Sequence, residues 1–118
     1  MNLLDMIYGF VERLMLSTDF NADEIEKLLD SVRHDLDAMR AHYAGPAPAG
    51  TEAVGQLMLE SLTLFDESFD EISQFLQDQN EDRLRVAVAR ADEANDILSA
   101  VEEIIQINKH VLSEMVQA

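Results

Sequence analysis

Two rows of apolar residues, one on each side of Asn80, keep the spacing of packed helices over half the chain. Before it stand Met58, Leu62, Phe65, Phe69, Ile72 and Leu76. After it stand Leu84, Ala87, Ala91, Ala94, Leu98, Val101, Ile105, Leu112 and Met115, with the polar Asn108 keeping the same register opposite Thr51 and Glu52. The steps alternate between four and three, a period that fits helices buried along one stripe and excludes strands, whose side chains alternate. A turn at Asn80 makes Phe69 meet Ala91, Phe65 meet Ala94, Ile72 meet Ala87 and Leu62 meet Leu98. Large residues then face small ones, as close packing requires. The sequence predicts a long antiparallel hairpin, with one helix from Thr51 to about Gln79 and a second from Asn80 almost to the end. At 1.5 Å per residue the second helix is roughly 50 Å long.

The first part of the chain is helical as well. Leu3, Leu4, Ile7, Val11, Leu14 and Met15 share one broad face of a helix over about residues 2–16, and Phe10 widens that face. A further helix opens near Asn21, a favoured N-cap, with Asp23 and Glu24 suited to the positive helix end. Its apolar positions are Ile25, Leu29, Val32, Leu36, Met39 and Tyr43. Gly45 and Pro46 stop it. Both prolines and two of the four glycines fall within residues 45–50, the one clear linker. The expected fold is all-α: an antiparallel bundle of about four helices in a single domain over residues 1–118. An N-terminal helical pair (1–44) packs on the hairpin (51–118).

The charge narrows the function classes. The chain carries 24 acidic residues against eight Lys and Arg, a net charge of −16. Phosphate backbones and anionic lipid surfaces are repelled, so neither nucleic acid nor membrane is expected as a partner. A basic protein or metal ions stay admissible. With no cysteine there is no disulfide, thiolate nucleophile or sulfur-rich metal site. The first residues lack a basic segment, and Glu12 and Arg13 interrupt the apolar run, so neither a signal peptide nor a membrane span is expected there. Cytoplasmic residence is the default.

Several constellations invite a chemical reading. Asp19, Asn21 and Asp23 have the spacing of a calcium loop, but Glu24 stands where glycine is needed and Asp30 replaces the final Glu. Asp78, Asn80 and Asp82 repeat the spacing with Ala89 at the end position. Capped helix starts explain both more cheaply. Of the three histidines, His34 shares a face with Asp30 and Asp37, and His110 with Glu114. The Glu-x-x-His pairs of a di-metal bundle occur nowhere. Asp66, Glu67, Asp70 and Glu71 form one acidic band, and Asp92, Glu93 and Asp96 another. The Asp92-x-x-x-Asp96 pattern resembles the acidic motif of phosphate-uptake regulators, which implies metal binding on a helix. Solvated flanks partly neutralised by Arg83, Arg85 and Arg90 are the plainer reading. There is no Gly-x-Ser-x-Gly and no phosphate-cradling glycine loop. No catalytic residue, cofactor site or metal ligand is assigned, and no enzyme is expected.

One feature asks for a partner. Ile97, Ile104 and Val111, with Ala100 and Ile107, form a second stripe on the last helix that the preceding helix cannot cover. The N-terminal helices are the candidates to hide it, yet they are shorter than the helix that carries it. The expected function is a non-enzymatic protein-interaction module, an adaptor, scaffold or chaperone-like binder. It self-associates as a homodimer through Ile97, Ile104, Ile107, Val111 and Met115, with parts of the first helix. A basic or amphipathic protein is the second admissible partner, competing for the same surface. In size, acidity and amphipathic helices the chain is similar to small secretion chaperones. The alternative is a metal- or ion-binding helical regulator that uses the acidic faces.

Overall fold

The structure, a computed structural model, describes residues 3–16, 21–45 and 50–117, with side chains described as far as residue 108. Four helices make up 94% of the described residues, and no strand occurs among them. They are α1 (Leu3–Leu16), α2 (Ala22–Ala44), α3 (Glu52–Asp78) and α4 (Glu81–Gln117).

Local chemistry sets the boundaries. The Asn21 side chain accepts from the backbone N–H groups of Asp23 and Glu24 at 3.1 and 3.2 Å, and so caps α2. Thr51 holds the N-cap position of α3 through its carbonyl, which accepts from the Gly55 N–H at 2.9 Å, and not through a capping hydroxyl. The turn between α3 and α4 has only two residues. Gln79 is left-handed (φ 53°), and its N–H returns to the Phe75 carbonyl at 2.7 Å. The Asp78 carboxylate accepts from the Asn80 N–H at 3.0 Å, and the Asn80 side chain accepts from the Asp82 N–H at 3.1 Å. The Asp78 and Asn80 oxygens of the second calcium-like spacing are therefore engaged in capping, and the Asp82 carboxylate takes Arg85. Asp19 of the first spacing lies outside the described residues.

The α3–α4 hairpin is the spine of the molecule. Leu62, Phe65, Phe69, Ile72 and Phe75 of α3 are buried, as are Leu84, Ala87, Ala91, Ala94 and Val101 of α4. The seam also contains Ser61 and Ser68, one residue before Leu62 and Phe69, which the hydrophobic pattern passes over. Both are fully buried. Ser61 donates its hydroxyl to the Ala94 carbonyl at 2.9 Å, and Ser68 donates to the Ala87 carbonyl at 2.6 Å. Serine against alanine lets the two backbones come close, and the bond to the carbonyl offsets the cost of burying the hydroxyl.

The N-terminal pair lies on this spine. α2 runs along α3, the one helix its backbone approaches among the described residues. Ile25, Leu29 and Leu36 supply its buried face, whereas Met39, expected there, is exposed. Its flank is fixed by charge: the Arg33 Nε lies 3.0 Å from Asp66 and its Nη1 3.3 Å from Asp70, and Arg40 lies 3.7 Å from Asp66. α1 packs against α4 and α3 through Ile7, Phe10, Val11 and Leu14. The Phe10 ring meets Phe69 edge-on with centroids 6.4 Å apart. Met15, expected on the buried face, is exposed.

The molecule measures 62 × 26 × 20 Å. α4, with 37 residues, is about 55 Å long and α3, with 27, about 40 Å. About 15 Å of α4 therefore runs past the hairpin. Ile105, in the row that faces α3, is 39% exposed where that overhang begins.

Candidate interaction site

The outer face of α4 is built by the same 3,4 periodicity as its inner face. Val86, Arg90, Glu93, Ile97, Ala100, Ile104 and Ile107 recur at steps of four and three, with Val111 next. α4 thus carries two coiled-coil seams side by side, one filled by α3 and one turned outward. From Ile97 onward the outer seam is wholly apolar as far as Val111. Ile97 and Ile104 are half-buried at its edge, and Ile107 is 62% exposed. Val111 and Met115 lie outside the described side chains, on backbone that is helical.

The position of α1 decides whether this seam is covered. The Tyr8 hydroxyl donates to Asp92, which fixes α1 against one side of α4. Ile97 is five residues from Asp92 and Ile104 twelve, so at 100° per residue they lie about 120–140° round the helix. Along the axis Ile104 is roughly 18 Å from Asp92, whereas the farther end of α1 is only about 12 Å from Tyr8. α1 reaches the stripe neither around α4 nor along it, and α2 has no backbone approach to α4 among the described residues. α1 lies on another side of α4 from the stripe, where it exposes Tyr8, Met15 and Leu16.

Ion pairs mark the side of the hairpin on which the seam opens. The Arg90 Nε stands 3.7 Å from Glu67, and its Nη1 3.7 Å from Glu93. Arg83 bridges Glu71 at 3.2 Å and Asp78 at 2.6 Å. Bonds from the Asn80 N–H and then from Arg83 hold the Asp78 carboxyl below its ordinary pKa. Arg90 belongs to the outer seam, seven residues before Ile97. These pairs therefore close the turn end of the groove between α3 and α4, and the apolar part begins beyond them.

The other candidate residues are dispersed. Asp66 and Asp70 are engaged by Arg33 of α2, with Arg40 also at Asp66; neither arginine stood out as a neutraliser in the sequence. The signal available was their seven-residue spacing on one face of α2. Asp92 takes the Tyr8 hydroxyl, and that hydrogen bond, with desolvation and the charges of Asp92 and Asp5, raises the Tyr8 pKa above its ordinary value. His34 and His42 are exposed, with the His42 ring edge-on to Tyr43 at 5.0 Å. Among the described residues no group of three or more His, Asp or Glu is placed to hold a metal ion. A shallow groove of about 470 Å³ is lined by Ser99, Glu102, Glu103, Gln106 and Ile107, all from α4 alone. No helix is long and apolar enough to cross a membrane among the described residues.

Comparison with known protein families, characterised proteins and solved structures finds no match.

Proposed function

We propose that this protein is a non-enzymatic helical interaction module, resident in the cytoplasm, that docks another helix along the outer seam of α4. The observation carrying this reading is an apolar row in strict 3,4 register, half-buried at Ile97 and Ile104 and 62% exposed at Ile107, which α1 and α2 leave open among the described residues. A monomer gains nothing by keeping such a row in register, and exposed apolar surface of this kind marks an interaction site.

A second copy of the chain is one source of such a helix, and self-association is the simplest form of the activity. An antiparallel pairing centred on Ile104 sets Ile97 against Val111 and places small Ala100 near Ile107. It also keeps the acidic bodies apart. Residues 97–111 carry Glu102, Glu103 and Lys109, a net charge of −1 (two acids less one base) against −16 for the whole chain. Partly exposed side chains contribute about 1 kcal/mol each, and association costs at least several kcal/mol, so the expected affinity is weak, on the order of tens of micromolar.

Sedimentation velocity across that concentration range tests the reading. Wild type forms a reversible dimer that tightens as salt screens the repulsion between copies. The Ile104→Asp, Ile107→Asp double variant is a folded monomer. A variant that keeps the wild-type association, or a wild type that is monomeric throughout, removes the basis for a self-docking seam.

A further inference from the structure

We infer that the far half of the groove between α3 and α4 is a docking site for a basic amphipathic helix of another protein. The inference rests on the docking surface proposed above and specifies its partner. α3 contributes its own 3,4 stripe to this side of the hairpin: Leu57, Glu60, Leu64, Glu67 and Glu71. Glu67 and Glu71 face α4 across the ion pairs with Arg90 and Arg83. Those pairs occupy the turn end. Farther along, Leu57 and Leu64 continue the α3 stripe of Glu67 and Glu71, and Ile97 and Ile104 continue the α4 row of Arg90; by that register these four half-buried residues, with exposed Ile107, line the floor. Glu60 stands on the α3 rim, and Asp96 and Glu103 on the α4 rim, all exposed. None of the three has an ion-pair partner among the described residues, in contrast to Glu67, Glu71 and Glu93 nearer the turn.

An apolar floor between two acidic rims selects its occupant by charge. An entering helix sets its apolar stripe on the floor and its flanks against the rims, the usual mode of helix-in-groove recognition. Basic flanks find Glu60 on one side and Asp96 and Glu103 on the other. A second copy of this chain brings Glu103 against Glu103 at the centre of the antiparallel pairing and is the weaker occupant. The two associations respond oppositely to salt. Screening strengthens contact between two acidic copies and weakens contact with a basic helix.

The test uses a synthetic amphipathic peptide of about three heptads, with leucines at 3,4 spacing and Lys and Arg on the flanks. A control peptide carries Glu on the same flanks. The basic peptide is expected to bind the full-length protein one to one by fluorescence anisotropy, with affinity falling as salt rises, and to dissociate the dimer. Ile104→Asp, and Ile107→Asp at its exposed position, weaken binding at least tenfold although each adds a negative charge. Leu28→Asp, the same change at an exposed position on α2, does not weaken it. Diffuse attraction to a polyanion predicts the reverse, equal or tighter binding by all three variants, and that result overturns the inference. Equal binding of the Glu-flanked peptide overturns it as well. If the seam variants abolish the dimer while neither peptide binds, the docking seam stands and the basic partner falls. If they change neither association, both fall.

Discussion

Replacing Ala91 by leucine tests the packing on which the whole molecule is built. Ala91 is fully buried in the seam with Phe65 and Phe69, which are fully buried too, and Ala87 and Ala94 flank it one turn away. Leucine adds three carbon atoms at a fully buried position, between the Ala87 and Ala94 carbonyls that take the Ser68 and Ser61 hydroxyls. Room can come only from spreading the helices or from forcing the phenylalanines off their rotamers, at a cost of about 1–3 kcal/mol. A chain of this length unfolds with an entropy of roughly 0.25 kcal/mol per kelvin, so the melting temperature should fall by about 4–12 °C. Ala89→Leu supplies the control. Ala89 is exposed on the same helix, and alanine and leucine differ little in helix propensity, so its melting temperature should stay within about 2 °C of wild type. Thermal melts followed by circular dichroism, with urea titrations for the free energies, measure both. Equal effects at the two positions, or stabilisation by Ala91→Leu, would refute a tightly packed alanine seam.

Three further outcomes follow from the local chemistry. Asp66→Asn should cost about 1–2 kcal/mol in urea unfolding, because Asp66 is mostly buried and faces two arginines. Asp37→Asn, which removes an exposed carboxylate paired with Arg40, should be close to neutral. Gln79→Gly should stabilise by roughly 0.5–1 kcal/mol by relieving a left-handed non-glycine residue, and Gln79→Val should destabilise. The Tyr8 pKa is raised in the folded state, so its contribution is complete below the unfolded value near 10 and is lost as pH climbs through the folded value. Tyr8→Phe should remove that alkaline loss, with tyrosinate absorbance reporting the titration.

The helix boundaries were legible because they are written in short-range chemistry. Asn21 caps α2 and Asn80 opens α4 with side-chain oxygens that bond the next backbone N–H groups. The hairpin was legible because its alanine row and phenylalanine row share one period. Ser61 and Ser68 were missed because hydropathy counts serine as a surface residue, while a small hydroxyl bonded to a carbonyl packs as readily as alanine. Met15 and Met39 were misplaced for a related reason: periodicity states which face is apolar, not whether a neighbour reaches it. The same gap separates the α4 stripe from the site. Ile97, Ile104 and Ile107 show in the sequence as a second row. That the row stays open depends on α1 docking at Asp92, on another side of α4, and no local pattern encodes that choice.

Disulfide trapping at Ile104 tests the docking seam most directly, because the chain contains no cysteine of its own. Antiparallel pairing centred on Ile104 sets that position against its counterpart in a second copy. Ile104→Cys should therefore form a disulfide-linked dimer under mild oxidation at concentrations of tens of micromolar. Glu102→Cys, two residues away and about 200° round the helix, should remain monomeric under the same conditions. Equal crosslinking at both positions, or none at Ile104, would contradict a docking seam on the outer face of α4.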